Sequence, residues 1–385
     1  MKREKLRYGQ VGGSLGAFIG GVHRRAIAIE ERAVLKAGCF DSRWEQNQKT
    51  GQFYGLQEER IYKDYKEMAE KESRREDKID FVCICTPNFL HYEIAKTFIE
   101  AGIHVVCEKP LCFEISQAEE LKELAEKHKV LFAVTYTYTG YAMVKFAREL
   151  IGQGYIGKVV SVNAEYLQDW LLDELKEEPE EAGKKNLSVW RMNPEYSGKS
   201  NCVGDIGIHI EAVVSYMTGL KTKKAAAVLD TFGKALDLNA GILVELEHGV
   251  HGVYHCSQVC CGHYNGLAVR IFGSEGAIEW VQEEPDLLKV TKKGGPVQIY
   301  TRGSNCVTGT AAKRSHLPSG HPEGLTMAFA NIYAAFQNTL LKKINGEEIT
   351  DEDMDFPDLA MGAEGVKFIQ ACLTSSNHHA AWTEL

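Results

Sequence analysis

Two short patterns hold the residues whose types and spacing could do chemistry. The first is Glu108-Lys109-Pro110, directly behind the apolar run Ile103-His104-Val105-Val106-Cys107. Ligand crevices of open α/β sheets lie outside the carboxyl ends of their strands, so a lysine at this point is placed to touch a ligand. Pro110 removes one backbone donor and biases Lys109 toward extended backbone, which aims the ammonium. The second is Gly204-Asp205-Ile206-Gly207-Ile208-His209. Helical spacing puts Asp205 and His209 on one face, where the carboxylate can orient the imidazole or bind a substrate hydroxyl. Taking hydride from an alcohol requires a base for the hydroxyl proton, and histidine titrates in the right range. The same pattern also fits a helix cap followed by a core histidine.

A third pattern supplies a place for a cofactor. The first apolar run opens into Gly12-Gly13-Ser14-Leu15-Gly16-Ala17-Phe18-Ile19-Gly20. A glycine-rich turn lets backbone approach a pyrophosphate, and the following helix N-terminus supplies amide donors and positive dipole. In the G-x-G-x-x-G/A frame Gly12 takes the first position, Ser14 stands where a second glycine is usual, and Ala17 takes the third. Asp41, with Ser42 and Arg43 behind it, ends the second apolar run, where an acid accepts hydrogen bonds from a cofactor ribose. Its charge would repel the extra phosphate of NADP, which favours NAD, although Arg43 stands close by. Thr86-Pro87-Asn88 ends a further apolar run and could lie beside the nicotinamide; it also fits a plain helix-entry turn.

The elements that must position these groups fall into two textures. Strands are expected at Leu6 to Gly12, Val34 to Phe40, Ile79 to Cys85, Ile103 to Cys107 and Val130 to Thr135. Helical periodicities at His23 to Arg32, Tyr65 to Glu72, His91 to Ala101 and Ser116 to His128 separate them. This alternation predicts a doubly wound parallel sheet of Rossmann type over 1–137. After a helix at Tyr141 to Gly152, seven strands joined by short turns follow, from Val159 to Tyr166 through Leu287 to Thr291. They predict an α+β domain over 138–385 with a large, mostly antiparallel open sheet. Asp173 to Lys185 is acidic and reads as a solvated loop or surface helix, and two late helices are expected at about Leu325 to Lys343 and Phe356 to Leu373.

Composition narrows the function classes. A chain of 385 residues exceeds one ordinary core, and 44% apolar with 25% charged residues is the balance of a globular protein. No run approaches a membrane span and no signal-peptide apolar region opens the chain, so a cytoplasmic protein is expected, with no membrane partner. A net charge of -9 argues against nucleic acid. The 11 cysteines, with Cys83, Cys85 and Cys107 inside expected strands, read as reduced thiols. Cys256 and Cys260-Cys261-Gly262-His263 do not have zinc-ligand spacing, and no metal is expected. An open sheet face needs covering, so self-association is expected, as a dimer, tetramer or hexamer.

Taken in order, the glycine turn, Thr86-Pro87-Asn88 with His91, Glu108-Lys109-Pro110 and Gly204-Asp205-Ile206-Gly207-Ile208-His209 resemble the Gfo/Idh/MocA oxidoreductase family. The resemblance covers nearly the whole chain. It implies that Lys109 and His209 work on the reacting hydroxyl of a sugar or polyol while Asp205 helps position it. It also implies a cofactor set of Gly12, Gly13, Ser14, Gly16, Ala17, Phe18, Ile19, Asp41, Ser42, Arg43, Thr86, Pro87, Asn88, His91, Glu108 and Lys109. Tyr138-Thr139-Gly140-Tyr141, Tyr166-Leu167-Gln168-Asp169-Trp170, Val189-Trp190-Arg191 and Gly320-His321-Pro322-Glu323-Gly324 are similar to the branch that oxidises anhydrosugars and glycosides, often at C3. With Lys109, Asp205 and His209, this implies Tyr136, Tyr138, Gln168, Trp170, Arg191 and His321 as the substrate set. Tyr136-Thr137 stands where the family usually has Asn, and Ala142 where proline is common, so the sugar itself does not carry over. Alternative readings are an inositol or polyol dehydrogenase, an NAD-dependent glycosidase using transient C3 oxidation and elimination, and an NAD-binding regulator.

Overall fold

The computed structural model describes residues 2–175 and 190–385. Val189 and most of the acidic stretch, from residue 176 onward, lie outside the described residues. The chain divides into two compact units, one comprising residues through Gly140 together with Leu325–Ala363, the other Tyr141–Gly324 with Glu364–Leu385.

In the first unit, strands β1 (Leu6–Gly12), β2 (Ala33–Cys39), β3 (Phe81–Cys85), β4 (His104–Cys107) and β5 (Phe132–Val134) alternate with helices. These helices are α1 (Phe18–Ile29), α2 (Trp44–Phe53), α3 (Tyr65–Ser73), α4 (His91–Glu100) and α5 (Ile115–His128). The strands form one parallel sheet in the order β2-β1-β3-β4-β5. All of β3 is buried, which is why it reads as an unbroken apolar run. Helix Leu325–Ile344 covers α1, with Phe329, Tyr333, Phe336 and Leu340 in one core with Val22, Ala26 and Ile27. Register decides what emerges at the carboxyl edge. Gly12 pairs with Cys85, and Cys107 pairs with both Ile84 and Val134. The glycine turn, Thr86, Lys109 and Thr135 therefore leave the sheet at one edge, around the β1/β3 point where the winding reverses.

Two details depart from the sequence reading. Helix α1 begins five residues before the expected His23, because Gly20 and Gly21 interrupt the apolar period that marks it. Helix α2 has no strong apolar stripe; buried Asn47 anchors it, accepting from Phe40 N at 2.7 Å and donating to Tyr62 O at 2.7 Å.

The second unit contains α6 (Ala142–Gly152), β6 (Val159–Leu167), α7 (Pro194–Ser197) and α8 (Ile208–Thr218). Seven strands follow: β7 (Thr222–Asp230), β8 (Asn239–Leu246), β9 (Val250–Ser257), β10 (Gly266–Gly273), β11 (Gly276–Val281), β12 (Leu287–Lys292) and β13 (Val297–Thr301). With the terminal β14 (Thr383–Glu384) they make a nine-stranded sheet ordered β13-β12-β11-β10-β6-β9-β8-β7-β14. Among the described residues its ladders run antiparallel apart from β6 and β9. Strand β8 shows the two-faced logic: Ala240, Ile242 and Val244 are buried while Gly241 and Leu243 are exposed. Edge strand β13 has no fully buried residue, so its pattern carried no strand signal. Among the described residues no helix is long and apolar enough to cross a membrane.

Candidate active site

The cofactor side is built at the carboxyl edge of the parallel sheet. At Gly13, with φ +68°, an added Cβ would lie 2.6 Å from Gly20 Cα, so the turn and α1 approach each other without room for a side chain. Gly16, at φ +90°, opens onto free space just before Ala17. Ala17 precedes α1 in extended conformation without a side-chain cap, which leaves first-turn amides for an anion. Phe18 at the helix start is exposed and Ile19 half-buried.

Ser14 has a function that a second glycine could not perform. Its hydroxyl donates to Asp41 Oδ2 at 2.9 Å, tying the turn to the tip of β2. Arg43 holds the same carboxylate, donating from its backbone N and Nε to Oδ1 and from Nη2 to Oδ2, all at 3.0 Å. The Arg43 hydrogen bond, with Ser14 adding to it, lowers the Asp41 carboxyl to about 2. Ser42 is exposed beside it. On the next strand end the Thr86 hydroxyl is buried without a hydrogen-bond partner among the described residues, Pro87 is exposed and Asn88 half-buried. A side-chain-free cradle, open helix amides, an ionised acceptor and an unused hydroxyl fit a dinucleotide.

His91 and Glu108 support this edge from below. His91 is fully buried, with Nδ1 2.7 Å from Pro110 O and Nε2 3.0 Å from Thr86 O, so one ring joins the two loops. Burial lowers its pKa, although both carbonyls pull the other way. Lys109 is half-buried, its backbone N donating to Glu108 Oε2 at 3.3 Å, and the Lys109–Pro110 peptide is cis. Tyr136 and Tyr138 are buried in the same unit, just beyond β5.

In the second unit the structure joins several residues predicted from distant parts of the sequence. Asp205 lies in a π-helical turn, Val203–Gly207, which runs directly into α8 and places His209 at its second residue. Such wide turns recur at functional sites, and this one replaces the regular helix that the spacing predicts. Asp205 Oδ2 accepts from Gln258 Nε2 at 3.0 Å and faces Arg191 Nε at 3.6 Å. The Arg191 guanidinium lies 4.5 Å from the Trp190 ring centre and 5.9 Å from that of Trp170. Trp170 Nε1 donates to Gln168 Oε1 at 2.9 Å, and Gln168 Nε2 donates to Asn265 Oδ1 at 3.0 Å. Tyr166 donates to the same Asn265 oxygen at 2.5 Å, and its ring centre is 6.2 Å from that of His209, which is buried. The base of the turn is pinned by buried Asp237, which accepts from Ser200 Oγ at 3.0 Å, Asn201 N at 2.8 Å and Val203 N at 2.9 Å. Burial raises the Asp237 carboxyl while these donors lower it, with a net rise. His321 stands on a separate exposed loop held by buried Arg302, which donates to the carbonyls of His321 and Leu317. Among the described residues no group of three or more His, Cys, Asp or Glu could hold a metal.

Two family models match. Residues 6–136 fit an oxidoreductase family model described as an NAD-binding Rossmann fold, and residues 144–279 fit the C-terminal domain of the same family. The chain belongs to the Gfo/Idh/MocA oxidoreductase family. It is therefore an NAD-binding enzyme, an oxidoreductase. A Gfo/Idh/MocA relative, the uncharacterized oxidoreductase YfiI of Bacillus subtilis, is 34% identical over 98% of this chain and 96% of its own length. The inositol dehydrogenase homolog of Azotobacter vinelandii, solved with NAD+, superposes with a TM-score of 0.93 at 31% identity, covering 100% of this chain and 98% of that one. The same protein has been solved with NADH and myo-inositol, at a TM-score of 0.90. Levoglucosan dehydrogenase of Pseudarthrobacter phenanthrenivorans is 28% identical over 55% of this chain and 58% of its own length.

Several members of the site carried no sequence signal. Asn265, Gln258 and Asp237 lie in loops or at strand ends, and only the fold of the sheet brings them to Gln168, Asp205 and the turn that holds Asp205. Arg302 follows an edge strand, where an exposed charge is the ordinary expectation.

Proposed function

We propose that this enzyme transfers hydride reversibly between NAD and a secondary ring hydroxyl of a sugar or glycoside, at C3, giving the 3-keto product. When bound, NAD supplies the hydride acceptor, held by the glycine turn, the α1 amides and Asp41. His209 takes the hydroxyl proton. Lys109 donates a hydrogen bond to the oxygen as alkoxide character develops, and Asp205 accepts from a ring hydroxyl to orient it. One observation carries the substrate class. The linked run from Asp205 through Arg191 and Trp170 to Gln168 offers a carboxylate, a guanidinium, an amide and an aromatic face, the groups a polyhydroxylated ring requires. The likeness to levoglucosan dehydrogenase supports a pyranose.

The inositol dehydrogenase homolog with bound myo-inositol favours a second reading, a cyclic polyol as substrate. A panel of glycosides, anhydrosugars and inositols with NAD separates the two by which compounds yield NADH. An intact 3-keto glycoside is the expected product; cleavage to free sugar and aglycone would point to elimination instead. Lys109→Ala should keep NAD binding and lose about 10²-fold or more in turnover, the scale of one lost charge-stabilising donor. Near-normal turnover in that variant would sink the mechanism.

A further inference from the structure

Glu108 does not point its carboxylate outward with Lys109. Its Oε1 accepts from His23 Nε2 at 2.9 Å and from Thr135 Oγ1 at 2.7 Å, while its Oε2 accepts the Lys109 backbone N–H at 3.3 Å. The other ring nitrogen of His23 donates to Tyr333 Oη at 2.7 Å, and that oxygen lies 3.1 Å from Cys83 Sγ. His23, Thr135 and Tyr333 are fully buried, and Glu108 is 8% exposed. One carboxylate thus joins the ends of β4 and β5 to the middle of α1, the helix whose first turn faces the nucleotide cradle. A surface-solubilising acid needs none of this, and a purely packing role would be served as well by an apolar residue.

We infer that the His23–Glu108 pair is a positioning device that fixes the backbone of Lys109 relative to the cofactor helix. The inference rests on the proposed role of Lys109. Helix α1 is rigid over its length, so anchoring Glu108 to its sixth residue sets the distance between the nucleotide amides and the lysine that follows. Reaction geometry is sensitive at this scale, a displacement of about 1 Å costing up to about 10²-fold in rate.

The test uses the full-length enzyme with NADH binding by fluorescence, steady-state kinetics with a turned-over sugar, and thermal melts. Glu108→Ala should lower kcat about 10²-fold, and Glu108→Gln, which keeps an acceptor for Lys109 N–H, only about tenfold. In both, the sugar KM and the NADH Kd should stay within about threefold of the parent, because the Glu108 carboxylate is turned to His23 and Thr135 and the glycine turn, the α1 amides and Asp41 are untouched. His23→Gln should match Glu108→Gln, and the double variant should be no worse than either alone, as expected of two residues acting as one unit. If Glu108→Ala does not fold, the two glutamine variants and their double decide the question. A kcat within twofold of the parent in folded Glu108 and His23 variants, with Lys109→Ala inactive, overturns the positioning role and leaves the lysine's. A loss of turnover that merely tracks a loss of NADH affinity also overturns it, since it marks general damage to the cofactor unit. Turnover retained in Lys109→Ala instead overturns the proposed mechanism itself.

Discussion

Replacing Asp41 with alanine should convert an NAD-selective site into one that barely distinguishes NAD from NADP. A carboxylate at the end of β2 is held by Ser14 at 2.9 Å and by three donors of Arg43, which together fill its acceptor sites, so ribose hydroxyls reach it by displacing the exposed Arg43 side chain. Hydrogen bonds to a charged group contribute about 1.5–3 kcal/mol each. The partial exposure of Asp41 argues for the low end, so two ribose hydroxyls should contribute about 3 kcal/mol, or roughly 10²-fold in NAD affinity. Against a 2′-phosphate the same carboxylate is repulsive, by about 1 kcal/mol per unit charge in water and about 4 at an intermediate dielectric. Asp41→Ala removes the attraction and the repulsion together and releases the Arg43 guanidinium to a phosphate. The ratio of NADP to NAD dissociation constants should therefore fall by about 10²- to 10³-fold, most of it as weaker NAD binding. Because the Asp41 carboxyl is held near 2, the parent enzyme's preference should be flat between pH 5 and 9. Titration of the fluorescence of NADH and NADPH on both proteins measures the ratio directly. A change of less than about fivefold would show that the acid does not read the ribose, since each lost charged hydrogen bond alone predicts more.

Two further outcomes follow from groups outside the chemistry. Glu211 is fully buried, and burial, with Glu364 next, pushes its carboxyl up to about 8 from 4.5. The folded chain then holds a proton that the unfolded chain releases, so stability falls as pH rises from 4.5 to about 8. Glu211→Gln should leave the melting temperature nearly unchanged below pH 4.5 and raise it above pH 8, by at most roughly 4–5 kcal/mol of stability. An equal effect at both ends of the scale would refute a buried proton. On the open face of the nine-stranded sheet, Leu243 and Val253 are register partners and about half exposed. If that face is covered by a second copy, Leu243→Lys with Val253→Lys should reduce the sedimentation mass to a smaller species without altering the fold measured by circular dichroism. An unchanged mass would place self-association elsewhere.

What the sequence made legible depended on how locally each feature is encoded. Strand β1 could be read residue for residue because buried parallel strands are continuous apolar runs ending in a glycine turn. Helix α2 could not be read, because a polar helix held by Asn47 and Thr50 looks like loop. The same division runs through the site. Asp205, His209, Gln168, Trp170 and Arg191 stood in short motifs, and the structure links all five in one unit. Asn265 and Gln258, which join Gln168 to Tyr166 and Asp205 to Asn201, come from the entrance to β10 and the end of β9 respectively. Each bridging side chain lies far in sequence from the residues it joins, and only strand order brings it to them.

Glu108 shows how far a residue's surroundings can stay hidden in its sequence context. Its place beside Lys109 suggested contact with the cofactor, yet the fold buries the carboxylate and turns it toward a histidine 85 positions earlier. An acid next to a reactive lysine could equally have been a charge partner in solvent. What separates the two is burial: a lone carboxylate in that environment is untenable, and removing one member of such a buried pair typically costs about 3–5 kcal/mol. Burial alone would raise the Glu108 carboxyl, but His23, Lys109 and Thr135 hold it at about 2, while Cys83 and Glu108 outweigh burial and hold His23 at about 10. For Glu108 the stabilisation is present above 4.5 and is lost as pH falls toward 2; for His23 it is present below 6.5 and is lost as pH rises toward 10. The pair therefore contributes fully only between about pH 4.5 and 6.5 and erodes on either side. That erosion is what a clamp made of two opposite charges imposes and what an apolar packing pair would lack.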